Sequence, residues 1–261
     1  MAHPLLIKIL NVLAYVFLLS ANVYSGLESN DSGSPYHNSH VTYISPAPFV
    51  FGVWGLIHLL LGGFVIYQFW DSANEVVVDV VHWHFICIAL LNTLWLTLWE
   101  NNYLILAVIV VLFISGQISF VYYHLQRPQF TAQNWADKLF IHAPFSLYHA
   151  WIAVILTLSI FAAVTPKKTE EPPITLVKIV VVIALFILKS LSVAYIEGGN
   201  SDIAGSIVIA WTLIGIFVEQ QDPIIHWTSL VLAILSIFHI VKGIFVLFNR
   251  ARSGEYQPLN P

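Results

Sequence analysis

The sequence has few charged residues and only one cysteine. Only 9% of its 261 residues are Asp, Glu, Lys or Arg, compared with roughly 25% in an average soluble domain. Ten Lys and Arg stand against fourteen Asp and Glu, so the chain lacks the basic surface that binds nucleic acid. The single cysteine, Cys87, lies inside an apolar run and excludes a framework of intrachain disulfides. These shortages argue against a soluble domain and against a disulfide-rich secreted one.

Apolar residues make up 58% of the chain, and the mean hydropathy is +0.81. They form runs of roughly twenty residues, the length of a helix that crosses a hydrocarbon core of about 30 Å. The runs are continuously apolar rather than alternating, which argues against a membrane β-barrel. The sequence therefore predicts an all-α, polytopic membrane protein with about eight transmembrane helices. The predicted spans are Pro4–Gly26, Ala47–Phe69, Val80–Trp99, Tyr103–Leu125, Leu139–Val164, Ile174–Ile196, Ile203–Glu219 and Ile225–Phe248.

Lysine and arginine near the span ends predict the orientation, because cytoplasmic loops carry an excess of these residues. With eight spans both termini lie on one side, and Lys167 and Lys168 lie on the other. Both termini are therefore predicted to be cytoplasmic, and the first loop, Leu27–Ser45, to face outward. That loop contains an Asn-Asp-Ser triplet, which makes Asn30 a glycosylation candidate. The basic residues on the predicted cytoplasmic side are Lys8, Arg127, Lys138, Lys242, Arg250 and Arg252.

Several polar and aromatic residues lie deep inside the predicted spans. Counting along the second and fifth spans places His58 and His149 near the membrane midplane. Trp54 precedes His58 by one turn, and Asn92 shares a face of the third span with Trp95. Polar groups at this depth are costly and usually face the bundle interior. The pattern predicts a cavity or packed seam lined by indole, imidazole and amide groups, which suits a flat apolar ligand.

Lys189 is a charged residue well inside the sixth span. It has no carboxylate three or four residues away, so it must find a partner on another helix, reach an interface or be neutral. An intramembrane lysine favours an alternative function, a secondary transporter or channel that uses Lys189 together with the histidines. No inverted internal repeat supports that alternative. A lysine in this position would also suit a retinal Schiff base, although nothing else in the chain resembles a rhodopsin.

Three segments resemble the translocator-protein family, also called TspO/MBR or tryptophan-rich sensory proteins. The run PAPFVFGVWGLIH, at 46–58, resembles the family's proline-rich loop and its F-G-x-V-W helix. LNTLW, at 91–95, resembles its L-N-x-x-W helix, and YHAW, at 148–151, resembles its Y-L-A-W segment. The resemblance implies a five-helix transmembrane unit over 1–164. Three additional helices would follow over 165–249, and a short cytoplasmic tail over 250–261.

The resemblance also implies a pocket beneath the first loop that binds porphyrins such as haem, or sterols in animal members. His58 and His149 stand where the family usually has Tyr and Leu. If the second and fifth helices adjoin, the two histidines are weak candidates to ligate a haem iron. The residues predicted to bind the ligand are Trp54, His58, Asn92, Trp95, Tyr148, His149 and Trp151.

The sequence thus favours an integral membrane binding protein, a sensor, receptor or carrier, for an apolar or tetrapyrrole-like small molecule. The expected partners are the lipid bilayer and that small molecule, with no nucleic acid, and a homodimer is left open. No nucleophile elbow, phosphate-binding glycine loop or pair of carboxylates inside a span points to an enzyme. Enzyme activity is left uncertain, because light-dependent porphyrin breakdown has been proposed for some relatives.

Overall fold

The computed structural model describes residues 4–28, 40–198 and 201–252, and these residues fold into helices without any strand. The all-α prediction is confirmed. The glycosylation candidate Asn30 and most of the predicted tail lie outside the described residues. The eight long helices in the described part are α1 (Pro4–Glu28), α2 (Gly52–Tyr67), α3 (His82–Glu100), α4 (Leu104–Leu125), α5 (Ala143–Val164), α6 (Thr175–Glu197), α7 (Ile203–Glu219) and α8 (Pro223–Arg252).

Seven helical segments of the described chain are long and apolar enough to cross a membrane, and α7 is shorter, with 17 residues. A transmembrane helix needs at least about 17 residues, so α7 lies at the lower limit of that range. The seven longer helical segments agree with the prediction of a polytopic membrane protein. Large apolar side chains on the outer surface, such as Leu59 and Ile105, are mostly exposed. This is expected where the surrounding solvent is lipid rather than water.

Additional helical turns make two of the spans begin earlier in the sequence than predicted. A π-helical turn, Val77–Val81, leads into α3, and another, Lys138–His142, leads into α5. The apolar segments therefore run over Asp71–Glu100 and Trp135–Val164, longer than the runs read from the sequence. Single-turn π-helices are rare and often occur near functional sites.

The first five helices pack as a closed ring, in the order α1, α3, α4, α5, α2 and back to α1. Helices α6, α7 and α8 pack against one another, and α7 lies against α5. A 3-10 turn, Pro48–Phe51, leads into α2 and also contacts α7. The ring interior is therefore formed by α1 to α5, while α5 has one face inward and another toward the C-terminal helices. The division at 164 and 249 remains a prediction.

Candidate functional site

A buried aromatic cluster lies inside the ring, where α2 faces α5. The ring centre of Trp54 lies 5.5 Å from that of Tyr148 and 6.0 Å from that of Trp151. The Trp54 and Tyr148 rings meet edge to face, a favourable aromatic geometry. Phe51, in the turn before α2, meets Trp151 edge to face at 5.7 Å. The structure thus brings together three of the residues that the sequence predicts to bind a ligand.

A chain of side-chain amides connects this cluster to α1 and α3. The indole Nε1 of Trp54 donates to the Oδ1 of Asn22 at 2.6 Å, and the Nδ2 of Asn22 donates to the Oδ1 of Asn92 at 3.2 Å. Asn22 was not among the predicted site residues. In the sequence, Asn22 differs from its neighbours as an amide within an apolar run. Such a side chain needs a hydrogen-bond partner when it is buried.

Two buried ring nitrogens at the cluster have no hydrogen-bond partner in the described structure, the Nε2 of His58 and the Nε1 of Trp151. The side chain of Asn92 and the hydroxyl of Tyr148 instead hydrogen-bond to each other. The other ring nitrogen of His58 contacts the backbone carbonyl of Trp54 at 2.8 Å. An unpaired buried donor or acceptor costs about 1–3 kcal/mol. Two such atoms in one cluster indicate a place where a ligand or water supplies the missing partners.

The open space beside the cluster is small. A cavity of about 10 Å³ lies between the ends of α3 and α5 and is lined in part by Trp95, Trp99 and Ser159. The Nε1 of Trp95 donates to the Oγ of Ser159 at 3.3 Å. This volume holds about one water molecule, whereas a pocket for a drug-sized ligand measures about 300–1,000 Å³. The interior is therefore a packed seam, and a ligand as large as a porphyrin requires it to open.

Trp99, at the end of a span, lines this cavity. Its position in the sequence predicts an interfacial anchor, and the structure shows that protein covers the side chain there. The side chain is only 4% exposed, and its ring packs on those of Trp95 and His40. His40 covers the end of α3, so a residue at the end of the helix is buried by a segment distant in sequence.

Residues 40–47, which we call the lid, cover this end of the ring. The Nε2 of His40 contacts the carbonyl oxygen of Trp99 at 3.2 Å. Burial lowers the pKa of His40, a hydrogen bond with the backbone of Trp99 opposes this effect, and the charge of Lys167 adds to it. Burial in the docked lid therefore favours the neutral form of His40.

The C-terminal helices and the α5–α6 loop hold the lid in place. The backbone N–H of Ala47 donates to the carbonyl of Gly215 in α7 at 2.9 Å, and that of Lys168 donates to the carbonyl of Val41 at 2.8 Å. Gly215 has no room for a side chain, because a Cβ atom there would collide with Val50. The lid is thus attached to the segments that follow the five-helix ring.

His149 lies outside the aromatic cluster, on the face of α5 that looks toward α4 and α6. Its Nδ1 lies 2.5 Å from the hydroxyl of Tyr195 and its Nε2 lies 3.0 Å from the Oγ of Ser119. Its ring stacks on Tyr122, with ring centres 4.4 Å apart. His58 instead packs against Trp54, so the described ring contacts of the two histidines share no residue.

Lys189 is buried between α6 and α8, 7% exposed, and its Nζ lies 3.4 Å from the Nδ1 of His239. Of the acidic residues nearest to Lys189 in the sequence, Glu197 pairs with Lys242 and Glu219 pairs with Lys168. Asp202 accepts from Ser146 and from the backbone of Gly205. Among the described residues, Lys189 therefore has a histidine as its polar partner and no ion pair.

The chain matches one known protein family over most of its length. The family model described as TSPO-like protein matches residues 8–242, which include the five-helix ring and most of the three C-terminal helices. Neither a curated protein sequence nor a solved structure matches the chain significantly. The match covers both the aromatic cluster and the segments that hold the lid.

Proposed function

The chain belongs to the TSPO-like family, and on this premise we propose that it binds an apolar small molecule between α2, α3 and α5. The proposed ligand is of the tetrapyrrole or sterol type, and the protein acts as its sensor or carrier. The lid covers the ligand, and both chain termini are cytoplasmic. The proposal is supported by the buried position of Trp54, Asn92, Trp95, Tyr148 and Trp151 inside the ring.

The observation that carries the proposal is the pair of unpartnered ring nitrogens beside Trp54, the Nε2 of His58 and the Nε1 of Trp151. The Nε1 of Trp151 can only donate a hydrogen bond, so a ligand that satisfies it must supply an acceptor. The carboxylates of a porphyrin and the hydroxyl of a sterol meet this requirement. The surrounding aromatic rings provide flat faces for the apolar body of the ligand.

Ligand entry requires the lid to move, because the closed interior has room for about one water molecule. The lid is held by hydrogen bonds to its backbone and by the buried side chains of Tyr43 and Ile44, so opening has to break both kinds of contact. The protein thus binds through a minor open form, and its apparent affinity depends on how often that form occurs.

The proposal is tested by titrating purified protein in detergent with protoporphyrin, following the fluorescence of the porphyrin. We expect saturable binding that Trp151→Phe weakens about tenfold, because the substitution removes one donor, worth about 1–3 kcal/mol. Trp227→Phe is the matched control, since Trp227 lies at 59% exposure on α8. Competition by cholesterol distinguishes a sterol site from a porphyrin site. Equal binding by the two variants contradicts the assignment of the site.

Haem ligation is a narrower form of the same proposal. The Nε2 of His58 has no protein partner, whereas both ring nitrogens of His149 contact other side chains. The structure therefore favours His58 over His149 as an axial ligand. Haemin added to the protein should give a Soret shift that His58→Ala abolishes and His149→Ala leaves in place. A spectrum that both variants leave unchanged rejects axial ligation.

A second candidate function, a secondary transporter, is favoured by the part-buried contact of Lys189 with His239. Ionisable groups inside membranes often belong to ion or proton pathways. Ligand flux into proteoliposomes distinguishes the two candidates. If the protein is a transporter that uses Lys189, the unmodified chain shows ligand flux and Lys189→Met loses the flux while it still binds the ligand. If the protein is a sensor, neither the unmodified chain nor Lys189→Met shows flux.

A further inference from the structure

A groove between α6 and α8 carries basic side chains at the end of the bundle opposite the lid. The two helices pack against each other, and Glu197 at the end of α6 pairs with Lys242 of α8 at 2.6 Å. One turn earlier on α8, the Nδ1 of His239 lies 3.4 Å from the Nζ of Lys189. The basic groups of the groove therefore form a short row that leads from inside the membrane toward its surface.

The contact between Lys189 and His239 brings two donors together. The Nδ1 of His239 also lies 2.8 Å from the carbonyl oxygen of Leu235. A carbonyl oxygen only accepts, so Nδ1 carries the proton and donates to Leu235. The ammonium group of a charged lysine also has only donors. In the described structure Lys189 is 7% exposed, forms no ion pair and lies against another donor, so an anion beside it would stabilise its charge.

The nearby acidic side chains of the described chain are already engaged. Glu197 pairs with Lys242, and Asp202 caps the start of α7. Helix α8, Pro223–Arg252, contains no acidic residue. Since Glu197 and Lys242 neutralise each other, the groove retains the positive charge of Lys189. Basic pockets between transmembrane helices near a membrane surface bind lipid headgroups.

The depth of the groove suits the phosphate of a lipid. A hydrocarbon core of about 30 Å corresponds to about twenty helical residues. Counted from Pro223, where α8 begins, this distance ends near Lys242. His239 is then about 5 Å inside the boundary. Lipid phosphates lie just outside the core, and the long side chain of Lys189 can extend toward them.

An apolar stripe runs beside the basic groups on α8. Phe238, Val241 and Phe245 are 66%, 42% and 64% exposed. They recur at intervals of three and four residues and thus share one face of the helix, next to His239 and Lys242. A phospholipid carries acyl chains directly below its phosphate, whereas a free phosphate ion has no apolar part. The stripe therefore favours a lipid over a free anion.

We propose that this groove binds one anionic phospholipid, whose phosphate lies beside Lys189, His239 and Lys242 and whose acyl chains lie along Phe238 and Phe245. A net negative headgroup is preferred, because a zwitterionic one brings its own cation close to the lysines. Helix α8 packs mainly on α6 and α7, so this lipid site is separate from the aromatic cluster inside the ring.

The experiment is native mass spectrometry of the full chain in detergent, titrated with phosphatidylglycerol or with phosphatidylcholine of the same acyl chains. We expect one phosphatidylglycerol to bind more tightly than phosphatidylcholine. Lys189→Met should lower the affinity for phosphatidylglycerol about fivefold, and Lys189→Arg should retain it. Lys138→Met, an exposed position at the same end of the bundle, is the matched control and should retain it too. Equal affinity for both lipids, or an equal loss in Lys189→Met and Lys138→Met, overturns the proposal.

Glu197→Gln tests the site with little risk to the fold, since the Glu197 side chain is 48% exposed. Its carboxylate competes with the lipid phosphate for Lys242, so its removal should raise the affinity for phosphatidylglycerol several-fold. An unchanged or lower affinity contradicts the proposal. Inorganic phosphate should not displace the lipid, and displacement would assign the groove to a free anion instead. Porphyrin binding by Glu197→Gln should stay unchanged, which separates a failure here from a failure of the proposed function.

Discussion

The side-chain amide of Gln220 donates a hydrogen bond of 2.7 Å to the backbone carbonyl oxygen of Ser45. The same nitrogen donates to the carbonyl of Thr42 at 3.3 Å. Gln220 follows α7 directly and is buried, so one side chain from the C-terminal part of the protein joins two carbonyls of the lid. Helix α7 and the turn after it are therefore part of the closure of the proposed ligand site.

Gln220→Ala should accelerate ligand association. The substitution removes two hydrogen bonds of the closed lid, each worth about 0.5–1.5 kcal/mol, and so raises the population of the open form several-fold. Stopped-flow mixing with protoporphyrin measures the association rate. Gln221→Ala is the matched control, because the neighbouring glutamine is exposed. Identical rates for the two variants would show that Gln220 does not hold the lid.

Acid should open the lid through His40. Burial lowers the pKa of this histidine in the docked lid below its ordinary value of 6.5, so the released lid binds a proton more readily than the docked one. The stabilisation of the docked lid is fully present above pH 6.5 and is lost as the pH falls through the lowered pKa. Ligand association should accordingly be faster at low pH.

The pH effect is checked by measuring association rates between about pH 5 and pH 8, around the ordinary pKa of histidine. His40→Gln should remove most of the dependence, since glutamine does not titrate in this range. His124→Gln, at the opposite end of α4, should keep it. A profile that His40→Gln leaves intact would assign the dependence to another group.

Trp54→Phe should destabilise the ring. It keeps an aromatic ring in the cluster but removes the donor that reaches the Oδ1 of Asn22 at 2.6 Å. Interhelical hydrogen bonds in membranes contribute about 0.6 kcal/mol on average, and loss of a buried partner raises the cost to about 1–2 kcal/mol. Unfolding in sodium dodecyl sulfate measures the change. The exposed Trp227→Phe should have little effect, and an equal loss in both variants would argue against the contact.

The predicted orientation can be tested because Cys87 is the single cysteine in the sequence. In a Cys87→Ser background, Glu170→Cys lies in the loop between α5 and α6, on the same end of the bundle as the lid. With cytoplasmic termini, a membrane-impermeant maleimide should label this cysteine from outside intact cells. A cysteine replacing Arg127, beyond α4, should be labelled only after lysis. The reverse pattern would invert the topology.

The helical class and most of the buried aromatic residues could be predicted from the sequence, because long apolar runs and deep polar residues follow from the low polarity of the membrane. Trp54, Trp95 and Trp151 face inward, as their spacing indicates. The direction of His149 could not be predicted. Tyr148 and His149 are adjacent on α5, and only the contacts of His149 with Tyr122 and Tyr195 show that it faces away from the aromatic cluster.

The lid contacts were also beyond the reach of sequence reasoning. The bonds from Gln220 to Thr42 and Ser45 join residues more than 170 positions apart. Burial of Trp99 depends on the same distant segment. Hydrophobic periodicity reports how a helix meets its surroundings, but it does not report which loop covers the end of that helix.

Helix α5 holds Tyr148 against Trp54 on one side and His149 against Tyr122 on the other. Because the two side chains are neighbours on one rigid helix, a shift of α5 that makes room for a ligand beside Tyr148 must also disturb the contacts of His149 with Tyr122 and Tyr195.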